Sequence, residues 1–165
     1  MPLLNYTTTV PATRTISQVQ QLLVRAGASQ VLMDYADAKA TGIRFVVVTA
    51  RGARAFALPV QVDRVATILQ RDRALPPRLK TPEHAERVAW RIIKDWLEAQ
   101  LALIASEMVA LEEVMLPYML AADGKSMFDL YLGGELAPPA LGPGGDRCWP
   151  TPTRRSAAPS PPATS

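Results

Sequence analysis

Residues 82–106 constrain this chain most, because they read as one long helix whose apolar surface is too wide for a single packing partner. Thr81 stands at the N-cap, Pro82 takes the first helical position, where its missing N–H is harmless, and Glu83 and Glu86 favour the positive end of the helix dipole. At about 100° per residue counted from Val88, Ala99, Ile92, Leu103, Trp96 and Ala89 share one arc, and Ile93, Ile104, Leu97, Trp90 and Leu101 continue it. The total is roughly twice the stripe shown by a helix lying on one core. Arg87, Arg91, Lys94, Asp95 and Glu98 fill the rest. Glu83 and Arg87, Arg91 and Asp95, and Lys94 and Glu98 are each four apart, so this polar face is expected to pair its own charges along a solvated surface. The surplus apolar edge centres on Trp90, Leu97 and Leu101, which form the candidate protein interface. Either residues 108–120 fold back over it, for which Met108, Val109, Leu111, Val114, Met115 and Leu116 are at hand, or a second protein chain covers it.

Upstream, short extended runs alternate with one-sided helices. Tyr6-Thr7-Thr8-Thr9-Val10 is rich in β-branched and aromatic residues and stops at Pro11, which predicts a first strand. A helix capped by Thr13 or Thr15 follows, with Ile16, Val19, Leu22, Leu23 and Ala26 at helical spacing and Gly27 as its stop. Residues 31–35 and 43–48 read as strands separated by a polar break at 37–42. The unbroken apolar run from Phe45 predicts a central strand with both faces at least partly covered. A turn at residues 51–54 leads into Ala55-Phe56-Ala57-Leu58, where Phe56 and Leu58 point one way and the alanines the other. A helix at residues 62–73 ends before Pro76-Pro77. Past Pro117, residues 118–120 read as extended, Asp123-Gly124 as a turn, and Ser126 as the cap of a short helix holding Met127, Leu130 and Tyr131. The expected fold is α+β: a small antiparallel sheet of about four strands, in the order strand, helix, strand, strand, strand, helix, covered by helices and followed by one long C-terminal helix.

At 165 residues, 48% of them hydrophobic and 20% charged, the chain has enough apolar surface for one core. A boundary falls near Leu136, because the last 29 residues hold 8 Pro and 3 Gly among Ser, Thr and Ala, a composition that cannot bury enough surface to order itself. Residues 1–136 are expected to form a single domain and 137–165 a disordered Pro-rich tail, in which Pro159-Ser160-Pro161-Pro162 is close to a polyproline-docking pattern. The single cysteine, Cys148, rules out an internal disulfide framework. The first residues lack the basic start and long apolar run of a signal peptide, and no stretch of about 18 apolar residues occurs. A cytoplasmic protein without a membrane span is expected, in which Asn5-Tyr6-Thr7 carries no sugar. Net charge is +3, yet residues 1–81 carry +7, residues 82–136 carry −6 and the remainder +2. The basic and acidic parts either complement each other inside the fold or offer partners two faces of opposite potential.

No catalytic, cofactor or metal signature stands out from this background. His84 is the only histidine, which excludes a multi-histidine metal site, and in the first helical turn it reads as a surface residue. Asp34 and Asp37 sit three apart on an extended segment, so they point to opposite faces, and no third carboxylate joins them. Gly142-Pro143-Gly144-Gly145 has no strand before it and no helix after it, as a phosphate-cradling loop requires. No enzyme activity, cofactor or small-molecule substrate is expected. Arg44, Arg51 and Arg54 cluster on one hairpin and are the candidate nucleic-acid contacts, followed by Arg64, Arg71, Arg73, Arg78 and Lys80. No aromatic residues are interleaved with them to stack on bases.

The run Glu86-Arg87-Val88-Ala89-Trp90-Arg91-Ile92-Ile93-Lys94-Asp95-Trp96-Leu97-Glu98-Ala99-Gln100, with Asn5-Tyr6-Thr7-Thr8, Gly27-Ala28, Asp34-Tyr35 and Leu116-Pro117-Tyr118, resembles an uncharacterised family of small bacteriophage and prophage (mobile-element) proteins over about residues 5–132. The resemblance implies a product that acts in the bacterial host cytoplasm on viral or host macromolecules, and it brings no family catalytic residues. The expected function is that of a non-enzymatic phage or prophage accessory protein acting through protein–protein interaction, by self-association or by engaging a host or phage partner. The alternative is a nucleic-acid-binding accessory protein of phage replication or recombination that uses the basic hairpin.

Overall fold

In the computed structural model, which describes residues 3–136, two tight turns lay out the sheet. Gly27, at φ 91°, separates α1 (Ala12–Arg25) from β1 (Ala28–Ala36). Asp37 and Ala38, both at positive φ, turn the chain into β2 (Lys39–Thr49), and Ala50 and Arg51 turn it again into β3 (Gly52–Pro59). In the first of these hairpins, positive φ at both Asp37 and Ala38 matches the twist of the flanking strands. The result is an antiparallel meander in the order β1-β2-β3. α2 (Val62–Arg71), α3 (Pro82–Ala105), α4 (Leu111–Met115) and α5 (Met127–Leu132) follow, with single 3-10 turns at Pro77–Leu79 and Leu116–Tyr118. The class is α+β as expected, with two corrections. The sheet has three strands rather than four, and the long helix is not the C-terminal element, since α4 and α5 succeed it. The tail expected from Ala137 onward lies outside the described residues.

The missing strand is the one expected at residues 6–10. Asn5 adopts φ 61°, the Tyr6 N–H donates to the Leu3 carbonyl at 3.3 Å and the Thr8 N–H to the Asn5 carbonyl at 3.0 Å, so the segment turns on itself. It runs along α3, where the Asn5 amide donates to Asp95 at 2.8 Å and Leu3 and Tyr6 pack against buried residues of that helix. β-branched composition does not by itself place a strand, and here the contacts of Asn5 with Asp95 and of Tyr6 with His84 hold the segment on the helix. The edge of β3 is held by residues from the other end of the chain: Met119 bridges to Phe56, and the Leu120 N–H donates to the Ala55 carbonyl at 2.8 Å. α1 also starts earlier than expected, directly behind Pro11, so neither Thr13 nor Thr15 is its cap, and Thr15 is fully buried inside it.

Strand alternation sorts the sheet into two unlike faces. Val31, Phe45 and Phe56 stand in one row across the sheet and Met33, Ile43 and Leu58 in the next, all directed at the helices. Phe45 and Phe56 stack with ring centroids 5.2 Å apart. The opposite face carries the rows Leu32, Arg44, Ala57 and Gln30, Val46, Ala55, and there Val48 is 68% exposed. The inner face of β2 is buried, whereas the outer face is covered only in part: Gly42 is buried and Val46 half-buried, but Arg44 and Val48 are exposed.

α3 packs against both α1 and α2. Trp90 and Leu97 have no exposed surface and join the cluster built by α1, the sheet and Met115 of α4. Ala85 and Val88 instead join a second, smaller cluster with Leu69 of α2. A helix that serves two clusters needs an apolar arc wider than a helix that serves one. Residues 108–120 do fold back: Leu111, Val114 and Met119 pack on the first cluster, and Trp96 meets Tyr118 edge-on at 5.5 Å. Thr81 caps the helix as expected, its hydroxyl accepting the His84 N–H at 3.2 Å. Trp90→Ala should lower the unfolding free energy by about 3–5 kcal/mol in urea denaturation. Ala38→Gly, which relieves an alanine held at left-handed φ, should raise it by about 1 kcal/mol in the same measurement.

Candidate functional site

The surface that the helical arc pointed to is interior. Trp90 and Leu97 are fully buried, Leu101 is half-buried against the same cluster, and the first two present nothing to a second chain. A helical wheel gives the width of an arc but not the number of clusters that fill it.

The three hairpin arginines do not converge. Arg44 lies on the outer face of β2 and is ion-paired with Asp34. Arg54 is in register with Val47, three residues beyond Arg44, so alternation puts it on the other face. Its guanidinium turns back on the hairpin, donating to the Arg51 carbonyl at 2.8 Å and the Ala53 carbonyl at 3.2 Å. Glu112, in the first turn of α4, faces the same turn. Its own backbone N–H and then the Thr49 hydroxyl hold its carboxyl below the usual carboxylate range, with Arg51 and Arg54 adding to the effect. Each of these arginines is thus set against a carboxylate of the fold, and they are not pooled on one face.

His84, expected at the surface, is 4% exposed. Its Nε2–H donates to the Tyr6 carbonyl at 2.6 Å and fastens the N-terminal segment to α3. The signal for its burial was present in the sequence, since His84 stands four residues before Val88 on the apolar arc. Of the expected surface pairs, Arg91 with Asp95 at 3.2 Å and Lys94 with Glu98 at 2.6 Å form. Glu83 and Arg87 do not close an ion pair. The Glu83 carboxyl, held low first by its own backbone N–H and then by Thr81, stays at the helix end.

The described surface offers a sheet with one closed edge and one open edge. Residues 119–120 close β3, whereas no described backbone group bonds to the outer edge of β1. β1 reads Ala28-Ser29-Gln30-Val31-Leu32-Met33-Asp34-Tyr35-Ala36, with one charged residue and no proline. Its register against β2 is regular over residues 30–34, Leu32 is 51% exposed, and Tyr35 is 65% exposed. Natural edge strands are protected by lysines, prolines, bulges or a covering element, and the middle of β1 has none of these. No residue-level signal could have identified this edge, because it follows from which strands are neighbours.

Near the end of β3, α2, α3 and α5 border an open apolar cleft of about 1030 Å³ on which Phe128 and Leu132 are exposed. The carboxylates on its wall are engaged in the fold, Asp34 by Arg44 and Asp129 by the Ser126 hydroxyl at 2.6 Å. Among the described residues no three His, Cys, Asp or Glu side chains gather to hold a metal ion, and no helix is long and apolar enough to cross a membrane. No family model matches the chain, and no curated protein or solved structure does either.

The Asp129 cap carries a pH signature. The Ser126 hydroxyl, and after it the Ser126 N–H, hold the Asp129 carboxyl below the usual range. A depressed folded pKa means that the contribution is complete above the ordinary Asp range and is lost as pH falls through the lower folded value. On acidification, the amide signals of α5 should move in that window, and Asp129→Asn should abolish the transition.

Proposed function

We propose that this chain is a non-enzymatic accessory protein of phage or prophage origin that works through protein–protein contact, and that its first contact is with a second copy of itself along β1. The open, uncharged middle of the β1 edge carries this reading. Antiparallel pairing of two β1 strands about a two-fold axis at Leu32 sets Leu32 beside the partner's Leu32, Val31 beside the partner's Met33 and Gln30 beside the partner's Asp34. This register continues the inner apolar rows of the sheet across the junction. It also keeps the one carboxylate of the strand away from its own copy, whereas an axis at Asp34 would set two carboxylates face to face. The resemblance of residues 86–100 to phage and prophage proteins supports the biological setting. The non-enzymatic character is supported by the structural engagement of the carboxylates around the cleft bordered by α2, α3 and α5.

Light scattering at increasing concentration should show the mass rising toward twice 17.9 kDa. Leu32→Lys sets two ammonium groups opposite each other across the axis at a position outside the core, so it should return the protein to a monomer with an unchanged far-UV circular dichroism spectrum. A wild-type monomer at every concentration, or a Leu32→Lys dimer as tight as the wild type, would refute the reading.

A further inference from the structure

The turned N-terminal segment brings Thr7, Thr8 and Thr9 to the start of α3, where with Arg78, His84 and Arg87 they line a cleft of about 380 Å³. No carboxylate lines it. Thr8 uses its hydroxyl to accept the Val10 N–H, but the hydroxyls and backbone N–H groups of Thr7 and Thr9 have no hydrogen-bond partner among the described residues. Arg78 and Arg87 likewise enter no ion pair there. Glu83, one turn before Arg87, turns to its own N–H and to Thr81, and its field reaches Arg87 without closing a pair. Packing does not require this arrangement, since Arg78 is exposed and Arg87 half-exposed. Two uncommitted guanidinium groups and a row of free donors are the complement of an oxyanion.

His84 narrows the choice of oxyanion. Its Nε2 faces the Tyr6 carbonyl at 2.6 Å, and a carbonyl only accepts, so Nε2 carries the proton. In the neutral ring Nδ1 then holds a lone pair, and no described group of the protein bonds to it. The residues lining the cleft thus offer donors on the arginines and threonines and acceptors on the threonine hydroxyls and His84. A terminal phosphate that keeps one proton satisfies both: its bare oxygens take the arginines and threonines, and its P–O–H donates to Nδ1. Sulfate and a phosphodiester have no such proton. We propose that this cleft binds a terminal phosphate group, as inorganic phosphate or as the phosphomonoester of a small molecule, in preference to sulfate.

The test is an NMR titration of the full chain with sodium phosphate and, at matched ionic strength, with sodium sulfate. Phosphate should give saturable shifts at the Thr7 and Thr9 amides and the His84 ring. Binding should be weaker by about tenfold or more for sulfate, and for phosphate in Arg78→Gln and in Arg87→Gln, consistent with losing one charge-assisted hydrogen bond. Arg51→Gln, on the distant hairpin, should bind as the wild type, and the Trp90 indole signal reports an intact fold in every variant. A parallel titration with glycerol phosphate separates the sources, since tighter binding of the ester assigns the site to phosphomonoesters and weaker binding assigns it to free phosphate. Absence of saturable shifts, equal response to sulfate, or shifts that survive both arginine substitutions would overturn the assignment.

Discussion

Trp90 lies with no exposed surface among residues of α1, the sheet and α4, while about a turn earlier on the same helix Ala85 and Val88 close a separate cluster with Leu69 of α2. Between His84 and Leu97 the apolar arc of α3 is buried on two sides, and α1 and α2 both lie against it. The sheet then gives one face to this helical layer, and its other face, with Leu32, Val46 and Val48, is left without a helix of its own. The burial carries a local cost, because the Trp90 indole N–H has no protein partner, and an unpaired buried donor costs about 1–3 kcal/mol. Burying an aromatic side chain of this size more than offsets that.

The uneven charge of the sequence resolves into short-range pairs inside each part and weaker fields between them. Among the described residues every close ion pair lies within the basic part, as Asp34 with Arg44, or within the acidic part, as Arg91 with Asp95 and Lys94 with Glu98. Between the parts, Arg51 and Arg54 act on Glu112, and Lys39 on Glu83, at longer range. Of the basic surplus, Lys39, Arg51 and Arg54 thus face carboxylates of the acidic part. Among the described residues Arg78 and Arg87 close no ion pair, Arg87 adding only its field at Glu83, and both line the cleft under the threonine segment.

Local signals in the sequence were legible where the physics is local. Thr81-Pro82-Glu83 marks the start of α3 by capping alone, the spacing of Val62, Val65, Ala66 and Leu69 marks α2, and Ser126 caps α5 as its position suggests. β1 begins three residues before its apolar run, since Ala28 and Gln30 pair through their backbone on either side of an irregularity at Ser29 and need no apolar side chains to do so. What was not legible depends on partners distant in sequence. Residues 6–10 have the composition of a strand, but His84 and Asp95 hold the segment they belong to against a helix, and that displacement is what makes threonines line a cleft with arginines. The candidate interface failed for the same kind of reason: Trp90 and Leu97 needed a cover, and α1, the sheet and residues 111–119 supply it. The open edge of β1 became visible only once Met119 was seen to occupy the edge of β3.

Hydrogen–deuterium exchange followed over a range of protein concentrations tests both halves of this account in one measurement. An interior α3 and a contact surface on β1 predict that the amides of residues 88–97 exchange slowly at every concentration, while the amides of β1 that face away from β2 exchange rapidly when dilute and slow down as the protein is concentrated. Rapid exchange through residues 88–97, or exchange along β1 that is indifferent to concentration, would contradict it.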